Sequence, residues 1–254
     1  MAKLEKKVAL ISGASRGIGK AIALALAKEG ASLYLIAEET EEELQAVCSD
    51  CRNSHDSVVA NYGLMELSDT DAGRRMVEAC LSQFGRVDIL VNNAGVRRRA
   101  DFGDFTQDDY EFTQAVNIRT PFFACQTALT AMREQGSGRI INITSQMGSV
   151  AFDGLSLYGL TKAALIYLTK AISYDCAGDG IQVNCVSPGP IATQYNIDRM
   201  RDDPAAWNKL TAGTTVGRFG KPEEVAEAVC FLATCESTFI QGHDLIIDGG
   251  WTSH

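Results

Sequence analysis

The chain is predicted to be an α/β protein: a doubly wound parallel sheet of about seven strands with helices on both faces. Three features of the sequence carry this. Short β-branched runs alternate with longer amphipathic stretches along the whole length, which implies βαβ units. Most of the runs are apolar throughout rather than alternating, as in strands covered on both faces. The first run passes directly into a glycine-rich turn and an alanine-rich stretch.

The strand expectations, in order, are Val8–Ser12, Ser32–Ile36, Ser57–Asn61, Ile89–Asn92, Arg139–Thr144, Gln182–Val186 and Leu245–Asp248. Each is a short run built on Val, Ile or Leu and too brief for a helix. Between them, apolar residues at helical spacing predict helices over Ile18–Glu29, Glu41–Arg52, Asp69–Phe84, Tyr110–Arg133, Ser156–Ala177 and Pro222–Ala233. No linker, repeat or low-complexity tract divides the chain, so residues 1–254 are expected to form one dinucleotide-binding domain. Residues 190–220 lack strand character. An insertion after a strand lies at the carboxyl edge of such a sheet, where ligands bind, so this region is read as a substrate lid, with a surface helical hairpin as the alternative.

Composition narrows the function classes. The 254 residues are 46% hydrophobic and 22% charged, typical of a soluble globular protein. The formal net charge of -9 disfavours a nucleic-acid partner. No apolar run approaches the roughly 20 residues of a membrane span. The run after Lys3, Lys6 and Lys7 covers only Val8 to Ile11, too short for a secretory signal. A cytoplasmic location without membrane partners follows. The eight cysteines read as free thiols. Cys48-x-x-Cys51 has no second close pair, and only three histidines exist, so no metal site is expected.

The segment Ser12-Gly13-Ala14-Ser15-Arg16-Gly17-Ile18-Gly19 joins the first strand to the first helix. Glycines there permit a tight turn and close approach of backbone to a pyrophosphate, which the helix N-terminus attracts. The expected fold is thus Rossmann-like, although the spacing G-x-x-x-G-x-G differs from G-x-G-x-x-G, and no Gly-Lys-Ser/Thr follows to make a nucleotide P-loop.

Tyr158 and Lys162 are four apart and share one helix face. A nearby ammonium favours phenolate. Two unit charges 4–5 Å apart at an effective dielectric of about 20 interact by about 3–4 kcal/mol, which would lower the phenol toward a useful working pH. Ser145 sits at the end of the fifth strand, where its hydroxyl can meet charge developing on a substrate oxygen.

The glycine spacing, with Asn92-Asn93-Ala94-Gly95, Asn117, Ser145, Tyr158-Gly-Leu-Thr-Lys162, Pro188-Gly189 and Thr193 in that order, resembles the short-chain dehydrogenase/reductase family from Lys6 to about Gly250. Ser12, where relatives often have Thr, keeps the hydroxyl. The resemblance implies hydride transfer between NAD(P) and a secondary alcohol or ketone, with Ser145, Tyr158, Lys162 and Asn117 catalytic. It makes Lys162 a ligand of the nicotinamide ribose. It gives Asn117 a helix kink and a water in a proton relay. Gly13, Ser15, Arg16, Gly17, Ile18, Gly19, Asn93, Ala94 and Gly95 are implied cofactor contacts, with Pro188, Gly189, Ile191 and Thr193 at the carboxamide. Glu66 and Leu67 correspond to the adenine contact.

By the same resemblance, Ala37 stands where NAD-dependent relatives often carry Asp, and Glu38 where NADP-dependent ones often carry Arg. The run Glu38-Glu39-Thr40-Glu41-Glu42-Glu43 would repel a 2′-phosphate. NAD is therefore expected, with NADP left open because Arg16 could approach a phosphate. The glutamates otherwise read as a solvated first helical turn.

Candidate pocket residues are Val96–Arg99, Gln146, Met147, Phe152, Tyr195 and the region of Trp207. Arg97-Arg98-Arg99 reads as an anion clamp or, the favoured reading, as a solvated loop or subunit contact. The implied substrates are sugars, sugar acids, cyclic alcohols or 3-oxoacyl thioesters, and the implied assembly is a homotetramer. The competing function is a non-catalytic dinucleotide-sensing or scaffold protein, which would typically lose the Tyr or the Lys. An enoyl reductase would space those two further apart. A serine hydrolase would need the second glycine that Gly154-Leu-Ser156-Leu-Tyr158 lacks.

Overall fold

A computed structural model describes residues 2–38 and 41–253. Seven strands, β1 Val8–Ser12, β2 Ser32–Ala37, β3 Ala60–Leu64, β4 Ile89–Asn92, β5 Gly138–Ile143, β6 Ile181–Pro188 and β7 Asp244–Ile247, form one sheet in the order β3-β2-β1-β4-β5-β6-β7. Every pairing is parallel.

Helices α1 Gly17–Lys28, α2 Glu41–Arg52 and α9 Pro222–Thr234 bury Ile22, Leu26, Leu44, Val47, Val225 and Val229 on one face of the sheet. Helices α3 Ala72–Phe84, α5 Thr120–Gln135 and α6 Ser156–Cys176 cover the other, with Met76, Val77, Ala124 and Met132 in its core. Strands β1, β4 and β6 are buried at every position. This is why β1 and β4 read as almost wholly apolar runs, while β6 also buries Gln182, Asn184 and Ser187.

The expected third strand, Ser57–Asn61, lies three residues further on. Residues 55–58 make a turn in which the Val58 N–H donates to the His55 carbonyl at 3.1 Å. Pairing with β2 begins at Leu33↔Ala60 and carries through Gly63. A Cβ on Gly63 would lie 2.8 Å from the Tyr34 hydroxyl, so glycine is placed there by close approach and not as a strand breaker.

The helix expected over Tyr110–Arg133 is two helices, α4 Gln107–Gln114 and α5, joined by a π-helical turn at Ala115–Arg119. Thr106 caps α4 through a capping box with Asp109. Hydrophobic spacing cannot register the one extra residue that a π turn inserts. The 190–220 region contains two helices, α7 Gln194–Asp202 and α8 Pro204–Ala212, the former begun by the Thr193 hydroxyl accepting from the Asn196 N–H.

Strand order reverses between β1 and β4. The carboxyl ends of those two strands therefore open a crevice, the position where ligands bind in open α/β sheets.

Candidate active site

The glycine loop and the segment after β4 meet in that crevice. The Ser12 hydroxyl accepts from the N–H groups of Asn93 and Ala94, both at 3.2 Å, and Asn93 Nδ2 donates to the carbonyls of Ser12 and Gly13. Gly19 packs against this knot: a Cβ there would fall 2.0 Å from the Gly13 carbonyl oxygen. Gly13 and Gly17 have φ of +65° and +55°, which bulkier residues avoid. Arg16 precedes α1, and its side chain makes no capping hydrogen bond. The first-turn N–H groups of α1 are thus left without a side-chain cap, and they point the positive end of the helix dipole at the crevice.

The far wall comes from β5 and α6. Ser145 follows β5 in extended backbone, and its hydroxyl accepts from the Met147 N–H at 3.2 Å. It also lies close enough to the Tyr158 hydroxyl to act on that phenol. One turn along α6, Lys162 is buried, and its ammonium donates to the Ile143 carbonyl at 2.8 Å.

Burial pushes the Lys162 amine down to about 8. The Tyr158 phenol is shifted opposite to the sequence expectation: burial raises it, and the Ser145 hydroxyl and the Arg97 charge offset this only in part. Lys162 does not counter the effect, because its Nζ faces the Ile143 carbonyl, 5.7 Å from the centre of the Tyr158 ring. Four-residue spacing put the two on one face but did not determine the direction of the ammonium or the loss of water around both groups.

Asn117 is buried in the π turn. Its Oδ1 accepts from the Val96 N–H at 2.8 Å, and its Nδ2 donates to the Val96 carbonyl at 2.9 Å and to Thr161 Oγ1 at 3.0 Å. Both amide hydrogens are committed to the protein. The side chain thus ties the segment after β4 to α6. A Cβ on Gly95 would stand 3.3 Å from Lys162 Nζ and 3.4 Å from Asn117 Oδ1, so glycine keeps the ammonium accessible from the crevice.

A cavity of about 650 Å³ joins these parts. Of the sequence candidates, Arg16, Ile18, Asn93, Gly95, Ser145, Tyr158 and Lys162 line it, as do Pro188, Gly189, Ile191 and Thr193. Gly13, Ser15, Gly17, Gly19 and Ala94 form the loop behind that wall. Thr193 leans over the loop, its Cγ2 3.4 Å from where a Gly17 Cβ would lie. The adenine-side candidates lie apart: Leu67 is buried in the core, while the Glu66 carboxyl lies beside Glu38, accepts from the N–H and hydroxyl of Ser68, and is held below the usual range by these neighbours. Glu39 and Thr40 of the acidic run lie outside the described residues.

A dinucleotide fits this set. The loop offers uncapped N–H groups for its diphosphate, and the glycine-lined crevice leads from them to Lys162 and Tyr158.

The candidate pocket residues Val96, Gln146, Met147, Phe152, Tyr195 and Trp207 also line the cavity. Trp207 on α8 stacks on Phe219 with ring centres 3.5 Å apart, closing the lid side. Reading the sequence missed Asn196 and Arg199, which reach the same cavity from α7. The available signal was their position on one helix with Tyr195, but nothing in the sequence separated Arg199 from the neighbouring Arg201.

Comparison with known proteins agrees with this arrangement. A family model described as enoyl-(acyl carrier protein) reductase matches residues 13–252. The D-threitol dehydrogenase of Mycolicibacterium smegmatis is 35% identical over 252 residues, covering 98% of this chain and 94% of that protein. The gluconate 5-dehydrogenase of Gluconobacter oxydans is 35% identical over 244 residues, covering 96% and 94%. Among solved structures, a short chain dehydrogenase from Burkholderia cenocepacia in complex with NADP superposes with a TM-score of 0.91 at 37% identity, covering 98% of this chain and 99% of that one. The chain belongs to the short-chain dehydrogenase/reductase family and is an NAD(P)-dependent oxidoreductase that interconverts secondary alcohols and ketones.

Proposed function

We propose that Tyr158 exchanges the proton in this reaction, with Ser145 holding the substrate oxygen and Lys162 and Asn117 arranging the site. The observation that carries this is that Ser145, Tyr158 and Lys162 share one wall of the cavity, with the Ser145 hydroxyl close enough to Tyr158 to act on its phenol. A bound nicotinamide dinucleotide supplies or accepts the hydride. The chain's own residues then have three tasks. The α1 N-terminus and glycine loop bind the diphosphate. Lys162, reachable past Gly95, holds the nicotinamide ribose. In alcohol oxidation the Tyr158 oxygen takes the hydroxyl proton while Ser145 donates to the same substrate oxygen, and in ketone reduction the proton returns.

Burial alone leaves Tyr158 a weak base. Arg97 and the positive charge of an oxidised nicotinamide both push the phenol down, so the base is activated as the site fills. Asn117 is a positioning residue. By fixing both backbone groups of Val96 and bonding Thr161, it sets the width of the crevice in front of Lys162.

NAD is the preferred cofactor in this reading, because Glu38 directly follows β2 with Glu66 beside it, and two carboxyl groups at the end of that strand disfavour a 2′-phosphate. KM values for NAD and NADP test it, and a strong NADP preference refutes it. Helices α7 and α8 act as the substrate lid on a single dinucleotide-binding domain. The exposed Phe122 and Phe123 of α5 and Tyr167 and Tyr174 of α6 support a homotetramer paired through those helices. Eight free cysteines suit a reducing cytoplasm; among the described residues no helix is long and apolar enough to cross a membrane.

Tyr158→Phe is the direct test. It should lower kcat by about 100-fold to 10,000-fold while leaving the Kd for NADH within about twofold. Turnover at the parental rate would refute the assignment, and would favour a dinucleotide-sensing role only if no substrate were turned over by the parent either.

A further inference from the structure

The arginine run behaves differently from a solvated loop. Arg98 reaches the cavity wall over the Phe112 ring, but its charge is paired with Asp109 at 3.6 Å. Arg97 and Arg99 line the cavity together with Arg199 of α7, brought from about a hundred positions away. The three guanidinium groups act on one another: Arg99 is lowered by burial and by the charges of Arg199 and Arg97.

Arg97 and Arg199 both act on the Tyr195 phenol and lower its titration against its burial. Arg97 also lies over the Tyr195 ring, 5.0 Å from its centre, and donates to Asn196 Oδ1 at 3.0 Å. Arg99 donates to the backbone carbonyl of Asp153, whose carboxylate is held by Lys209 at 2.8 Å. None of the ion pairs among the described residues includes Arg97, Arg99 or Arg199. Asp203 is the one acid on the cavity wall, against six basic side chains. In a chain of net charge -9, such a concentration of cations repels itself unless an anion joins it.

A second observation points into the same space. Gln146 is 2% exposed, lines the cavity, and its Oε1 has no hydrogen-bond partner. That oxygen lies 2.7 Å from where a Cβ on Gly189 would stand, next to Ser145. A buried acceptor left unpaired is costly; the oxygen is closed off from solvent, and a turn of the side chain toward the cavity would let a ligand hydroxyl donate to it.

We propose that the substrate is a polyhydroxy carboxylate: its carboxylate is gripped by Arg97, Arg199 and Arg99, and a hydroxyl beside the reacting carbon donates to Gln146 Oε1. This rests on the oxidoreductase reading above and names the substrate class of the same site. Guanidinium forks match a carboxylate in two parallel hydrogen bonds. Arg97 is close enough to Tyr158 to influence its phenol, which places the anion on the substrate side of the cavity and a few bonds from the reacting carbon. In oxidation, the CH–OH carbon gives a hydride to the oxidised dinucleotide and its oxygen gives a proton to Tyr158. The products are the oxo acid and the reduced dinucleotide, and the carboxylate is unchanged. Because α7 carries Tyr195, Asn196 and Arg199, anion binding also draws the lid helix onto the substrate.

The test compares hexonates with the corresponding hexitols, and 3-hydroxybutyrate with 2-butanol, using parent, Arg199→Met, Arg97→Met and Gln146→Leu proteins. Hexonates should exceed hexitols in kcat/KM by about 100-fold, the size expected of hydrogen bonds to a charged group. Arg199→Met should abolish most of that preference while hexitol turnover stays within about threefold. Arg97→Met should lower hexonate turnover more than hexitol turnover and raise the apparent pKa of the kcat profile. Hexonates should also exceed 3-hydroxybutyrate, and Gln146→Leu should erase that second margin. Equal rates for acids and neutral polyols would overturn the proposal and leave the dehydrogenase reading intact. So would arginine variants that raise KM for the dinucleotide instead, since the arginines would then serve its diphosphate. If no compound is turned over, the reaction reading fails. Calorimetric titration of a hexonate into the NADH-loaded parent and Arg199→Met proteins still decides the anion site: no binding, or equal binding by both, refutes it.

Discussion

Replacing Lys162 by methionine should stabilise the fold while removing its function. The ammonium is 3% exposed, donates to one carbonyl, and faces no carboxylate within ion-pair distance among the described residues. Burial lowers its pKa from 10.5 to about 8. At about 1.4 kcal/mol per pKa unit, charging this amine costs about 3 kcal/mol more in the folded chain than in the unfolded one. Methionine removes that cost, but it leaves the Ile143 carbonyl without its donor at about 1–2 kcal/mol. The net expectation at pH 7 is a gain of about 1–2 kcal/mol.

The pH dependence gives the argument its direction. Below about pH 8 both states hold the proton and the penalty is complete. Between about 8 and 10.5 the unfolded chain keeps a proton that the folded chain has lost, so parental stability rises with pH across that window. The advantage of Lys162→Met should therefore shrink from pH 7 to pH 10. Urea unfolding of the cofactor-free proteins at matched protomer concentration measures both quantities. A variant less stable than the parent at pH 7, with a gap that does not change by pH 10, would show that the ammonium is not paying a burial cost.

Three further outcomes follow from the geometry. Gly19→Ala places a Cβ 2.0 Å from the Gly13 carbonyl oxygen, a backbone clash that no side-chain movement relieves. It should cost about 1–3 kcal/mol in stability and weaken NADH binding measured by fluorescence, and an unchanged Kd would contradict the role given to the loop. Ser145→Ala should lower kcat by about 100-fold or more with little change in dinucleotide affinity, and an equal loss in both would point to a structural role. At the opposite end of the sheet, burial raises the Asp88 carboxyl, but hydrogen bonds from Arg86, the Val8 N–H and Lys7 more than offset it and hold it below the usual range. Its contribution is present above the unfolded carboxyl pKa and lost as pH falls through the lowered folded value, so Asp88→Asn should cost about 2–3 kcal/mol at pH 7. That deficit should narrow toward pH 3 in chemical denaturation, and a constant deficit would show that charge is not involved.

The sequence by itself determined the sheet, the loop and the positions of the reacting groups. Runs such as Val8–Ser12 and Ile89–Asn92 are apolar because both faces are covered. The glycines of the loop occur where backbone must approach backbone. Tyr158 and Lys162 share a face through helical periodicity alone. All of these are local relations, set within one turn or one strand.

Tertiary structure decided what depends on residues distant in the chain. It set the direction of the Tyr158 shift, because burial outweighs the Ser145 hydroxyl and the Arg97 charge while the Lys162 ammonium faces the Ile143 carbonyl. It divided Arg97 and Arg99 from Arg98, because only Arg98 is paired with an acid, Asp109. It brought Arg199 to them across about a hundred residues and left Gln146 Oε1 without a partner. Charge interactions and desolvation act through space, so their sum is settled only when the sheet has folded and placed these side chains around one cavity.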